Sequence, residues 1–145
     1  PGPITMTLEH DAVFYLLAYG LWALLLLAIL VLGRGLRVIS GQARADQFPP
    51  YAYDPARLLD RLSRAYLNTL EMLPVVLLVG GAALWVGTVE LAACLLPWVF
   101  AARVAQSVVH LIGVNHWLVQ ARFAFLLAQI VLLGWLGIST ACTLA

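Results

Sequence analysis

Five polar residues share one face of a segment that is otherwise apolar. Arg57, Arg61, Arg64, Asn68 and Glu71 recur at spacings of three and four, and at 100° per residue they fall within roughly an 80° arc of a helix. The segment runs on into Val75-Val76-Leu77-Leu78-Val79, so the stripe enters hydrocarbon. A charge at the middle of a bilayer costs at least about 2.5–3.5 kcal/mol on insertion scales, which requires the stripe to face a protein interior or a wet cavity. A plainer reading stands beside that one: Arg61 and Arg64 snorkel to the headgroups while Asn68 and Glu71 satisfy each other or neighbouring helices. Snorkelling does not explain a carboxylate about three turns beyond Arg61, and this favours a site.

A second stripe, Arg103, Gln106 and His110, follows the same spacing, and Arg122 with Gln129 two turns on forms a third. Arg57, Arg61, Arg64, Arg103 and Arg122 outnumber Glu71, with Asp60 nearer the interface. Such a layer is net positive, and it suits an anion with at least two acidic groups while Glu71 and Asn68 meet an ammonium or amide. A small zwitterionic peptide such as glutathione fits that description, and a phospholipid headgroup fits it almost as well. For His110 two roles are open: a proton-transfer group, or a ring hydrogen-bonded to Gln106 or to a carbonyl. No Ser-His-Asp set, metal cluster or phosphate loop is visible.

The elements that must hold these residues are membrane spans. Of 145 residues 63% are hydrophobic and only 10% charged, against roughly 25% charged in a soluble domain, and the mean hydropathy is +0.96. The chain reads as an all-α integral membrane protein of one domain, residues 1–145, with spans near 11–36, 56–86, 90–113 and 118–142. Net charge +1 with no Lys excludes a polyanion partner such as nucleic acid, and arginine suits bidentate carboxylate recognition. Met6 is the expected native start, and residues 1–5 are kept out of the fold argument.

Asp54-Pro55 reads as an N-cap followed by Pro at the first helical position, which starts the second helix near there. Pro74 frees the carbonyl of Leu70 and could kink this helix above Glu71. Gly80, Gly81, Ala82 and Ala83 form a small-residue patch that allows close helix approach. Cys94 and Cys142 read as buried small hydrophobes, and the five tryptophans as interfacial belt or packing residues. Arg34, Arg37, Arg44 and Arg57 flank the loop over 40–55, whereas Glu9, Asp11 and Glu90 mark the other side. The bias puts that loop in the cytoplasm, both termini outside, and the polar layer toward the cytoplasmic face.

Arg61-Leu62-Ser63-Arg64-Ala65-Tyr66-Leu67-Asn68-Thr69-Leu70-Glu71-Met72-Leu73-Pro74 resembles the RxxRAxxNxxExxP signature of the MAPEG family, the membrane-associated proteins in eicosanoid and glutathione metabolism. Chain length and four spans agree with it. The resemblance implies a left-handed four-helix bundle, a homotrimer, and glutathione bound between neighbouring subunits near the cytoplasmic face. It implies that Arg61, Arg64, Asn68 and Glu71 hold the tripeptide, and that Arg103 matches the arginine beginning the family's third-helix motif. By the same likeness Arg122, at the start of the fourth helix, is the catalytic residue that stabilises the thiolate. Two features depart from the glutathione-using members: His110 stands where they usually carry Tyr, and the Arg103 to Arg122 spacing is a few residues longer. That stretch is more similar to the little-characterised bacterial members.

The reading is a bacterial inner-membrane glutathione-dependent transferase or peroxidase acting on lipophilic electrophiles, with glutathione as co-substrate and Arg61, Arg64, Asn68, Glu71, Arg103 and His110 as its binding residues. An alternative from another class is a non-catalytic structural or lipid-binding subunit of a larger membrane complex. A transporter fits poorly, because no inverted repeat and no pair of broken helices appears.

Overall fold

The structure, a computed structural model, describes residues 2–42, 44 and 54–145, so most of the 40–55 loop lies outside the described residues. Four helices make up the described fold: α1 (Pro3–Ile39), α2 (Leu58–Val86), α3 (Val89–Ile112) and α4 (His116–Cys142). All four are long and apolar enough to cross a membrane. This is an integral membrane protein with an all-α four-helix architecture. Helix α1 starts at Pro3, well before the apolar run, and its 37 residues extend about 55 Å, longer than hydrocarbon alone requires.

Buried residues follow a heptad-like rhythm on every helix. They are Ala12, Leu16, Tyr19, Ala23, Leu26 and Leu30 on α1, and Val89, Ala92, Leu96, Val99, Arg103, Gln106 and His110 on α3. Spacings of three and four keep one seam facing the partner helices, the pattern of left-handed helix bundles. Two apolar clusters result. One gathers Ala12, Leu16, Tyr19, Val76, Ala83, Ala92, Leu96, Val99, Leu133 and Leu136. The other gathers Leu26, Leu30, Leu62 and Ala65. The chain positions between them, Trp22 on α1, Thr69 on α2, Arg103 to His110 on α3 and Gln129 on α4, form a polar layer across the bundle.

Gly80 permits the α1–α2 contact: a Cβ there would lie 2.6 Å from Leu16 Cδ2. Gly87 ends α2 in the left-handed region at φ 92°, where its N–H donates to the Ala83 carbonyl, a cap that favours glycine. Thr88 and Thr140 then join the α3 start to the α4 end by a hydroxyl–hydroxyl bond of 2.9 Å.

Two expectations, the N-cap of α2 and the burial of the cysteines, are corrected. Helix α2 begins at Leu58 with Arg57 as its N-cap residue. Asp54 instead heads a preceding turn, its side chain accepting from Ala56 N–H at 3.0 Å and pairing with Arg57 Nε at 3.2 Å. A short acidic side chain that bonds its own backbone two residues on competes with helix initiation. Pro74 lies inside an uninterrupted α2. Cys94 and Cys142 are exposed on the outside of the bundle; in a membrane protein the outward face is as apolar as the core, so apolar surroundings in sequence do not imply burial.

Candidate functional site

Three elements meet at His110. It occupies a seam position in the last turn of α3 and is buried. Nδ1 lies 3.1 Å from Arg122 Nη1, and Nε2 lies 2.9 Å from the side-chain amide of Asn68. Arginine only donates, so Nδ1 must accept, and a ring that accepts at Nδ1 carries its proton on Nε2 when neutral. That proton requires an acceptor, which assigns the Asn68 carbonyl oxygen, rather than its nitrogen, to the His110 side of the amide. The expected partner of His110, Gln106 or a carbonyl, is replaced by this bridge, and Asn68 finds its partner on a neighbouring helix, one of the two alternatives open to it, rather than in Glu71.

Arg122 is held twice. Its Nε donates to the Leu118 carbonyl at 3.2 Å within α4, and Nη1 donates to His110. Nη2 is buried with no hydrogen-bond partner. Helix α4 presents this arginine on its second turn, after Asn115 caps the helix by accepting from Leu118 N–H at 2.9 Å. The guanidinium is therefore fixed in orientation with one donor edge uncommitted, the arrangement that receives an anion.

Deeper in the layer, Arg103 is 1% exposed, with its Cζ 5.7 Å from the centroid of the Tyr19 ring, within the range of a cation–π contact. Its Nε and Nη2 and the Tyr19 hydroxyl make no hydrogen bond of good geometry, although the two side chains lie close enough to interact as a polar pair. Gln129 donates to Gln106 Oε1 at 3.0 Å and to the Phe125 carbonyl at 2.9 Å. Ser107 receives the Trp22 indole N–H at 3.2 Å and donates to the Arg103 carbonyl. Trp22 is thus part of the layer, while Trp85, Trp98, Trp117 and Trp135 are exposed on the outer surface.

The α2 stripe divides. Asn68 joins His110, and half-buried Arg61 turns back to donate to the Pro55 carbonyl at 2.8 Å. Arg57, Arg64 and Glu71 are exposed on α2, with Glu71 still within electrostatic reach of Arg103 and Arg64 of His110. The buried α2 seam is Leu62, Ala65, Thr69 and Val76, so a polar arc centred on Asn68 straddles the edge of the core instead of facing it. The structure therefore brings together Asn68, His110 and Arg122, places Arg103 in the interior, and leaves Arg64 and Glu71 facing outward.

Tyr19, Thr69 and Ser107 are members of the polar layer that sequence reasoning passed over. Their signal was available: Tyr19 falls on the α1 seam, and Ser107 and Thr69 lie one residue from polar positions already singled out. A cavity of about 670 Å³ at the opposite end, near Gly87 and Thr88, is lined by Glu9 and Glu90 and by no arginine; its charge is wrong for the anion that the arginine layer suits.

Residues 12–142 match the MAPEG family. The chain belongs to that family. The match spans all of α2 through α4 and most of α1. No significant match occurs among curated proteins. MAPEG membership sets the general field as membrane-bound, glutathione-related transferase or peroxidase chemistry and its relatives.

Proposed function

We propose that this MAPEG protein is a glutathione-dependent transferase or peroxidase acting on lipophilic electrophiles within the membrane. The observation that carries the reading is Arg122, oriented by Leu118 and His110 and retaining a buried Nη2 with no partner. A cation held there favours an anion over its conjugate acid and would draw the pKa of a bound thiol from about 8.5 toward neutrality. Asn68, on the edge of the core beside His110, leads outward to Arg64 and Glu71. Arg64 and Arg61 suit the carboxylates of glutathione, and Glu71 suits its ammonium.

Arg64 and Glu71 on an outward-facing flank supply the argument for assembly. Charged groups facing lipid are costly, and a homotrimer that seats this flank against a neighbouring subunit would enclose glutathione between chains. A structural or lipid-binding subunit is the second reading. It is favoured by the Asn68–His110 and Gln106–Gln129 bonds, which satisfy part of the polar layer internally. Calorimetry with glutathione on purified protein in detergent separates the two. Saturable binding, weakened in Arg64→Leu, is expected of the enzyme; heat attributable to dilution alone contradicts it.

A further inference from the structure

We propose that His110 is a positioning residue whose Nδ1 fixes the guanidinium of Arg122, so that the Asn68–His110–Arg122 chain, and not Arg122 alone, sets where the uncommitted Nη2 donor points. The proposal rests on the reading of Arg122 as the thiolate-stabilising group and adds to it the device that orients that group. Without His110, Arg122 keeps a single bond, Nε to the Leu118 carbonyl one turn back on its own helix, and rotation about the outer side-chain bonds sweeps the Nη atoms through space. The bond from His110 on α3, twelve residues earlier in the chain, removes that freedom.

The ring is itself fixed. His110 is buried at a seam position of α3, and its second nitrogen is engaged by Asn68 of α2 at 2.9 Å. Only the neutral ring with its proton on Nε2 serves both partners, since an acceptor is needed at Nδ1 for Arg122. The consequence is a specific requirement on the side chain at position 110. An asparagine there places its carbonyl oxygen where Nδ1 stood and can still accept from Arg122. A glutamine places its amide where Nε2 stood, reaches Asn68, and offers Arg122 nothing at the Nδ1 position.

The test uses full-length protein labelled with ¹⁵N-histidine and ¹⁵N-arginine in lipid nanodiscs, with Arg122→Leu and a His110 variant assigning the two signals. In wild type the His110 Nδ1 is expected at the shift of an unprotonated, hydrogen-bonded nitrogen, and Arg122 Nη signals are expected to be resolved by slow rotation. His110→Asn should retain resolved Arg122 signals and His110→Gln should merge them. With glutathione bound, thiolate absorbance per bound ligand is expected to be about fivefold lower in His110→Gln than in His110→Asn, the weight of one hydrogen bond. A proton on Nδ1 in wild type, or the same Arg122 spectrum in both variants, overturns the proposal. The tautomer is read in unsubstituted protein and stays decisive even if a variant does not fold. Absence of a thiolate in glutathione-bound wild type defeats the thiolate-stabilising role of Arg122 instead, and the Arg122 spectra then decide the positioning bond on their own.

Discussion

Gln129 Nε2 donates to Gln106 Oε1 at 3.0 Å across the buried α3–α4 seam, and the bond joins two helices at a depth where water cannot substitute for either partner. Removing one member leaves the other buried and unsatisfied, which costs more than removing both. Gln129→Leu is expected to lower the free energy of unfolding by about 1–2 kcal/mol. The double variant Gln106→Leu/Gln129→Leu should recover at least half of that loss. Reversible unfolding in mixed micelles measures both, and a double variant less stable than the single one would show that the pair does more than satisfy itself.

The α1–α2 contact depends on Gly80, where a Cβ would come within 2.6 Å of Leu16 Cδ2. Gly80→Val is expected to destabilise the protein by about 1–3 kcal/mol through overpacking. Shortening the obstacle with Leu16→Ala in the same background should restore part of the loss, because the clash is with the end of a flexible side chain. Additive losses in the double variant would place the effect of Gly80 elsewhere.

How much of this was legible in sequence depends on what each helix packs against. Four spans could be read because hydrocarbon requires a length of apolar chain, and that requirement is local. The MAPEG signature around Arg64, Asn68 and Glu71 was equally visible. What the stripe faces was not: helical spacing groups residues on an arc but does not set the rotation of the helix. In a membrane protein the outward face is as apolar as the inward one, so the usual hydrophobic cue for rotation is missing. The same ambiguity exposed Cys94 and Cys142, read in sequence as buried. On α3 the seam could be followed from Val89 through Leu96 to Arg103 and His110 at spacings of three and four, and that run alone would have placed Arg103 in the interior. His110 binding Arg122, instead of Gln106 on its own helix, is a tertiary choice made by the approach of α4, which no spacing within α3 encodes.

Orientation in the bilayer rests on the arginines around the 40–55 loop. In a protein whose exposed Cys94 and Cys142 have been replaced by alanine, Gln47→Cys is expected to resist an impermeant maleimide in intact cells and to react after permeabilisation. Strong labelling of intact cells would put the arginine layer at the opposite face.

Native mass spectrometry in mild detergent is expected to give three times the 15.8 kDa chain mass, since Arg64 and Glu71 lie on an outward flank that a neighbouring subunit would cover. A clean monomer at low micromolar concentration would remove the inter-subunit site and leave those residues to lipid headgroups.

The account turns on whether Arg122 stabilises a thiolate, and ultraviolet difference absorbance at about 240 nm on mixing protein with glutathione at neutral pH measures that state directly. Wild type is expected to show the signal at saturation. Arg122→Leu should diminish it at matched occupancy, one pKa unit corresponding to about 1.4 kcal/mol of lost anion stabilisation. Arg64→Leu should instead require more glutathione to reach a similar signal, because it removes a carboxylate contact. Glutathione bound by wild type with no thiolate absorbance, or an Arg122→Leu protein with the full signal, would contradict arginine activation and leave a binding protein.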